Sequence, residues 1–444
     1  MVRLIKVLTI VCMFLGALTF SLIKPYDSRP YSDTPFYQDM LDRVDGIELL
    51  TRDTSALVAG WAKGAILPPD PVPIASYGIR NNYENIHDTI YAKVFAFSDG
   101  FSDATIISLD LLIFPPALYQ YLEDSLGENA MKSLFFSATH THNGPGGWLR
   151  GPAARFIAGD FNQKYLYSLG DTVIRLIREA RSKLKPARIR YHELPHPENI
   201  ANRLVGTDPT DSLIRYITIM NSLKEKAIIV SYGAHANCIS HKINDISADY
   251  PGALCQELEQ NGYNMAAFIS GAVGSMTNNC HNLENYDCTR LIGQAIATKI
   301  LNASSEPSFT DSLNIQTGKI DLLLKDSAPR VSKDWTLRPW IFKTLLGSQP
   351  LFISYLKLGN ISLIGTPCDF SGVLSNEIHE QHPDKDYIIS SFNGSYAGYI
   401  TPVHYDHLEK SETREMNWLG YDNGTYFKTI INHLLAKLYS EKRL

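Results

Sequence analysis

"AIIVSYGAHANCISHKINDISADYPGALCQELEQNGYNMAAFISGAV" runs from Ala227 to Val273. It opens on a β-branched apolar run, "AIIVSYGAHA", and closes on a second, "MAAFISGAV". Both are of strand length and composition. Between them "PGALCQELEQNG" has apolar residues at helical spacing. Strand, helix, strand within fifty residues predicts α/β layers, with sheet covered by helices.

The same alternation extends in both directions. Strand-like runs recur at "AKVFAFSD", "ATIISLDLL", "SLFFSAT", "ISLIGTP" and "DYIISSF". Helix-like periods recur at "LYQYLEDSLG", "NQKYLYSLGDTVIRLIREARSKL", "TRLIGQAIATKIL" and "TYFKTIINHLLAKLYSEK". The stretch "LFISYLKLGNISLIG" reads as a hairpin, which adds antiparallel pairing. The expected fold class is therefore α/β, with mixed β-sheets flanked by helices in layers. No internal repeat, low-complexity block or clear linker divides residues 55–444, which are expected to form a single domain.

With 444 residues, 44% hydrophobic and 20% charged, the chain has a globular composition. A net charge of -5 gives no reason to expect a nucleic-acid partner. At the N-terminus Arg3 and Lys6 precede an uncharged run from Val7 to Ile23. That length suits an uncleaved signal anchor over residues 1–24 better than a cleaved signal peptide. In either case the basic flank stays inside and the body is exported, membrane-anchored or secreted. Residues 25–54, polar and containing proline, are expected to be a tether. Cys12 lies in the apolar segment, which leaves Cys238, Cys255, Cys280, Cys288 and Cys368 in the body. Five is odd, so at least one thiol is free or pairs between chains. The spacing allows a Cys280–Cys288 bridge, and the absence of CxxC argues against a thiolate zinc cluster.

Polar chemistry sits where apolar strands end. "SATHTHNGPGG" carries His140 and His142, "YGAHANCISHKINDISADYPG" carries His235, and "ISGAVGSMTNN" carries Ser275 and Thr277. "GTPCDFSG" carries Asp369, and "SSFNGSYAGYITPVHYD" carries Tyr396 and Tyr405. Strand ends are where rigid elements place loop residues accurately, so these ends are expected to converge on one cleft. If the strand persists through them, His140 and His142 share a face. An HxH alone fits a hydrogen-bonded structural pair as well as a metal site. A distant third histidine, His235, and a carboxylate such as Asp369 would complete a zinc set.

In the order of these motifs the chain resembles the catalytic domain of the neutral, non-lysosomal ceramidases, zinc amidases that cleave the N-acyl bond of ceramide. "SATHTHNGPGG" is close to that family's "SATHTHSGPGG", and "ISADYPG" follows a histidine as "ISADNKG" does there. "ANRLVG" stands for "NRS", "GTPCDF" for "PGEF", and "NGSYAGYITPVHY" for "NxYxxYxTxxEEY". The similarity covers roughly residues 55–435. It implies one Zn2+ per chain held by His140, His235, Asp369 and Tyr396. It also implies His142 as a proton-carrying neighbour, Arg203 against the substrate amide and Tyr405 as oxyanion stabiliser. These residue types suit the chemistry, because a metal polarises an amide carbonyl and acidifies its bound water, and cationic or phenolic donors meet developing charge. Nothing indicates a second, structural Ca2+ or Mg2+.

Two departures stand out. The family's "GDVSPN" is "GSMTNN" here, which puts Thr277 at the serine position and makes Ser275 the second candidate for the site hydroxyl. Asp369 replaces a glutamate and is one methylene shorter, which zinc accepts. No residues remain after the last motif to build the C-terminal β-sandwich domain of longer ceramidases. The expected function is membrane-tethered hydrolysis of a ceramide-like N-acyl lipid to fatty acid and sphingoid base. Alternatives are the same zinc site acting on another N-acyl amine, small amide or ester, and a non-catalytic, membrane-tethered lipid-binding relative. Asn302, Asn360, Asn393 and Asn423 fit the N-glycosylation pattern, but Asn393 lies inside a site motif.

Overall fold

The structure, a computed structural model, describes residues 21–49, 52–76, 78–303, 307–347 and 349–440. The expected membrane segment, residues 1–24, lies almost wholly outside the described residues. Among the described residues no helix is long and apolar enough to cross a membrane.

Twelve strands build the framework. Eight form one sheet: β1 (Val58–Ala65), β2 (Tyr91–Ser98), β3 (Asp103–Leu109), β4 (Leu134–Ala138), β5 (Lys185–Pro195), β6 (Leu213–Asn221), β7 (Lys226–Tyr232) and β8 (Met265–Ser270). Their spatial order is β8-β7-β6-β5-β1-β2-β3-β4. The outer pairs β7–β8 and β3–β4 are parallel and the rest antiparallel. β1 and β5 meet only at Val58↔Pro186 and Ala59↔Lys185, so two four-stranded arrays join at a narrow seam. A second sheet holds β9 (Ile315–Asp321), β10 (Phe352–Leu358), β11 (Ile361–Gly365) and β12 (Asp386–Ser390), in that order. β10–β11 is the expected hairpin, turned by Gly359 at φ 62°, and β11–β12 is parallel.

Period-two alternation explains how three arrays share one core. Phe95, Phe97 and Ile106 point inward from the first array, Ile217, Ile229 and Ile269 from the second, and Leu356, Leu363 and Ile388 from the third. All nine are buried in a single cluster. The alternate residues face outward and are covered by helices. Val94 and Ile107 pack against the helix Gln163–Ser182, whose Leu166, Leu169, Val173, Ile177 and Ala180 repeat at helical spacing. Tyr216, Val230 and Phe268 lie under the helices Asp249–Gln260 and Asn285–Leu301. Tyr355, Ile364 and Ile389 lie under Gly372–Gln381 and Asn423–Tyr439. The mixed sheets and flanking helices expected from sequence are present.

Within the expected tether, residues 25–54, the described residues 25–49 pack onto the body rather than hang free. Ile23–Pro25 pairs with Trp335–Leu337, and the helix Tyr37–Asp45 buries Met40 and Val44. Tyr31 is fully buried and stacks on Tyr426, with ring centroids 4.2 Å apart. A few well-spaced apolar residues cover the outer face of the third array, and polar composition hides them.

The C-terminal ends of β4, β8 and β12 meet at one corner. Ser270 Oγ donates to the Ala138 carbonyl at 2.8 Å, and the Ser391 amide to the Ser270 carbonyl at 3.0 Å. Ser137 and Ser390 hydroxyls lie 3.0 Å apart. Asn393 is wholly buried there, with Nδ2 donating to the Phe136 carbonyl at 2.7 Å and Oδ1 accepting from Ser354 at 2.7 Å. Its amide is therefore enclosed in the folded chain rather than open to glycosylation. The seam satisfies polar groups that would otherwise be buried unpaired, and it aims three strand ends at one point.

Candidate metal centre

At that point three imidazoles converge. His140 and His142 follow β4, and His235 follows β7. His140 Nε2 lies 2.9 Å from His235 Nε2 and 3.3 Å from His142 Nε2. All three side chains are buried. The pleat expected to bring His140 and His142 to one face is absent, because β4 ends at Ala138 and His140 adopts φ 62°. That left-handed residue, rare for a side chain with Cβ, turns both rings onto the cavity.

The neighbouring polar residues hold this turn in place. Thr141 Oγ1 donates to the Ser247 carbonyl at 2.6 Å, and Asn143 Nδ2 donates to the carbonyls of Ile243 and Asp245. Arg80, itself buried, donates to the His142 carbonyl at 3.1 Å and to the Ile243 carbonyl. The glycines that follow do not form an open lip. Gly146 sits where a Cβ would lie 2.2 Å from the Ala158 carbonyl oxygen, and Trp148 is fully buried. They let the loop pack tightly under the cavity floor.

Asp369 closes the group from the third array. It follows β11 and pairs in parallel with Tyr399. Its Oδ1 lies 3.5 Å from His140 Nε2, and its Oδ2 accepts the Tyr396 hydroxyl at 2.6 Å. Asp369 Oδ1 is buried without a hydrogen-bond partner. Burial pushes this carboxyl up to about 7 against the pull of Tyr396 and Arg203. Burial also pushes His140 down to about 3, with the Leu112 carbonyl opposing, and drives His142 and His235 well below the usual imidazole value.

These residues fit a metal ion. His140 Nδ1 is 2.6 Å from the Leu112 carbonyl and His235 Nδ1 3.3 Å from the Val273 carbonyl, so each Nδ1 carries the proton. That leaves two Nε2 lone pairs facing each other beside a partnerless carboxylate oxygen. Neighbouring ligands of tetrahedral zinc lie roughly 3.3 Å apart, from Zn–N lengths near 2.0–2.1 Å. The His140–His142 separation of 3.3 Å matches this and the His140–His235 separation of 2.9 Å is somewhat shorter, and the donor types are those zinc takes.

The unfavourable burial has a measurable consequence in metal-stripped protein. A histidine whose folded pKa is depressed stays neutral in the fold and protonates on unfolding. Its stabilisation is complete above its unfolded value of 6.5 and is lost as pH falls toward about 3. Asp369, raised in the fold, acts in the opposite sense between 3.8 and about 7. Near pH 5 the three histidines, all held neutral by burial, outweigh the one carboxyl, and unfolding takes up protons on balance. The melting temperature of the stripped chain is therefore expected to fall steeply from pH 6.5 to 5, as scanning calorimetry would record. A flat profile would contradict the neutral histidine cluster.

Arg203 and two tyrosines form one wall. Arg203 Nη2 donates to Tyr399 OH at 2.9 Å, and its Nε pairs with Glu412 at 2.8 Å. Tyr399 also helps to hold the Asp369 carboxyl down against burial. The remaining expected residues lie elsewhere. Tyr405, in the short turn Val403–Tyr405, buries its ring against Val373 and Ile200, and its hydroxyl donates to Asp208 at 2.6 Å and accepts from Asn202 at 3.0 Å. Ser275 is buried with its Oγ 2.7 Å from Ser371 Oγ, the cap of the helix Gly372–Gln381. Thr277 pairs with Ala201 in a short ladder. None of these three lines the cavity, and His235 and Asp369 also lie behind its lining, joined to it through His140 and Tyr396. Ser76, Tyr399 and Glu412 do line it. Ser76 Oγ is 3.4 Å from His142 Nδ1. Tyr399 lies inside the "NGSYAGY" motif, whereas Ser76 lies in an irregular segment and Glu412 in the short 3-10 turn Ser411–Thr413, neither with a sequence pattern to mark it.

The cavity has a volume of about 1740 Å3. His140 and His142 lie at one part of its lining, with Arg203 and Tyr396, while Leu166, Leu351, Phe342, Leu346, Trp340 and Trp418 supply apolar wall. The chain thus sets a buried histidine–carboxylate centre beside a cavity with mostly apolar walls, on a mixed α/β frame. No protein-family model matches the chain. Among curated proteins, the neutral ceramidase of Pseudomonas aeruginosa is 26% identical over 188 residues, 36% of this chain. The match spans only 28% of that relative's length. Similarity of fold reaches much further. The crystal structure of neutral ceramidase from Pseudomonas aeruginosa superposes with a TM-score of 0.70 at 16% identity, over 87% of this chain and 75% of that one. A structure described as ceramidase complexed with C2 gives the same TM-score and identity, over 86% and 75%. The resemblance to the neutral ceramidases carried by the motifs thus holds for the fold, and for part of the sequence.

Proposed function

We propose that this chain is a zinc-dependent amidohydrolase that cleaves the N-acyl bond of a ceramide-like lipid, releasing a fatty acid and a sphingoid base. The observation that carries this reading is the pair of opposed imidazole Nε2 atoms beside a partnerless carboxylate oxygen, next to a cavity large and apolar enough for an acyl chain. His140, His235, Asp369 and Tyr396 would hold the ion. When bound, zinc would polarise the acyl carbonyl and lower the pKa of a water toward ~7. His142, whose Nδ1 faces Ser76, is placed to carry a proton toward the leaving amine. Arg203 and Tyr399 present a guanidinium and a phenol to the carbonyl oxygen as its charge develops. Tyr399 takes this role in place of Tyr405, which is committed to Asp208. The apolar wall excludes water from the acyl chain.

The experiment is to measure zinc content and then turnover on a panel of N-acyl sphingoid bases, N-acyl amino acids and simple esters. The expected result is about one zinc per chain and cleavage of long-chain ceramides. Cleavage of only a small amide or ester would move the assignment to that substrate with the same centre. Absence of both zinc and turnover would identify a non-catalytic relative.

A further inference from the structure

A second group of reactive side chains lies outside the metal centre. Cys238, Cys280 and Cys288 hold their three sulfurs within 4.8 Å of one another. Cys280 and Cys288 are joined, with Cα atoms 5.2 Å apart, and Cys238 is a free thiol. Cys238 follows β7 three residues after His235, and Cys280 follows the short strand Met276–Asn278. The two segments already touch, since Asn278 Nδ2 donates to the His235 carbonyl at 3.0 Å and to Asn237 Oδ1 at 2.8 Å.

We propose that Cys238, Cys280 and Cys288 form a thiol–disulfide exchange site, in which Cys238 attacks Cys280 and displaces Cys288. The Cys238–Cys280 bond forms as the Cys280–Cys288 bond breaks, and the proton of Cys238 ends on the released Cys288. Two electrons stay within the three sulfurs, so no oxidant or reductant is consumed. Asp249 is placed to pass that proton. Its Oδ2 accepts the Cys238 amide at 3.0 Å, and the Cys238 thiol bonds the same carboxyl. Burial and the facing Asp249 push the Cys238 thiol well above its ordinary value, so it attacks only as its proton passes to Asp249, which burial pushes up to about 6 and makes a stronger base than an ordinary carboxylate. Cys288 is the better leaving group because it sits near the start of the helix Asn285–Leu301, where backbone N–H groups favour a thiolate. The product ties the loop after His235 to the loop after β8, whereas the starting bridge closes a short loop of its own.

Tryptic peptides separate the two forms. Cleavage after Lys226, Lys242 and Arg290 puts Cys238 in residues 227–242 and Cys255, Cys280 and Cys288 in residues 243–290, where fragmentation of the cross-linked peptide locates the bond at Cys280 and separates it from the buried thiol Cys255. Oxidised full-length protein would be incubated at neutral pH, quenched in acid with N-ethylmaleimide, digested and mapped without reduction. The expected result is a cross-link between the two peptides, with Cys288 labelling rising as Cys238 labelling falls by the same fraction. Cys238→Ser should remove the cross-link. Cys288→Ala treated with glutathione disulfide should form it to near completion, which keeps the test valid if the wild-type equilibrium lies toward the original bridge. A Cys288→Ala protein that carries only glutathione on Cys280, or a cross-link through Cys288 in the wild type, would overturn the proposal.

Discussion

His235→Ala is expected to remove zinc and turnover together while leaving the chain folded. His235 is wholly buried, burial keeps it neutral, and its Nε2 faces that of His140 at 2.9 Å. Removing it takes away one of two imidazole nitrogens 2.9 Å apart. Loss of a metal that stabilises transition-state charge by several kcal/mol lowers the rate roughly 10^3-fold or more. The stripped wild type and the variant should melt within a few degrees of each other, since the cavity left by the ring is offset by relief of the facing lone pairs. His142→Ala should behave differently, retaining zinc while losing about 10^2–10^4 in rate through the missing proton carrier. Zinc analysis of both variants separates the roles, and one full zinc in His235→Ala would refute the ligand assignment.

Gly274→Ala is expected to destabilise the chain and weaken the metal site together. Gly274 opens "GSMTNN", the segment that departs from the ceramidase motif, and passes directly behind the proposed carboxylate ligand. A Cβ there would lie 2.3 Å from the Asp369 carbonyl oxygen and 2.8 Å from its carbonyl carbon. Both are backbone atoms of a buried ladder, and the Gly274 amide donates to the neighbouring Phe370 carbonyl at 2.8 Å. Neither side can yield by a rotamer change. Overpacking of this kind destabilises by about 3 kcal/mol, and the shift falls on Asp369. The variant should therefore lose midpoint in denaturant titration and zinc affinity together. Wild-type stability in Gly274→Ala would show that the loop and Asp369 are less closely packed than the structure has them.

Much of the frame was legible because it rests on local patterns. The runs that became β2, β3, β4, β7, β8, β11 and β12 are apolar and β-branched, and the helix Gln163–Ser182 repeats its apolar residues at the helical period. The Ile361–Gly365 hairpin partner was marked by "GN" between two apolar runs. The tether expected over residues 25–54 gives way to packed structure because Tyr31 and Met40 find partners such as Tyr426 and Leu323, roughly three to four hundred residues away. No window of sequence contains that contact.

The candidate site divides in the same way. Sequence by itself determined that His140, His142, His235, Asp369 and Tyr396 stand at strand ends, and motif order tied them to one family's chemistry. Their convergence was decided by tertiary structure, through the serine seam that brings the ends of β4, β8 and β12 to one corner and through the left-handed backbone of His140. The same level of structure decided which motif residues stay out. Tyr405, Ser275 and Thr277 have the right types and spacing, but Asp208, Ser371 and the pairing with Ala201 claim them. Spacing along a chain sets which side chains are near a strand end. Their direction depends on backbone dihedrals and on competing hydrogen-bond partners that are distant in sequence, and those exist only once the three arrays have packed.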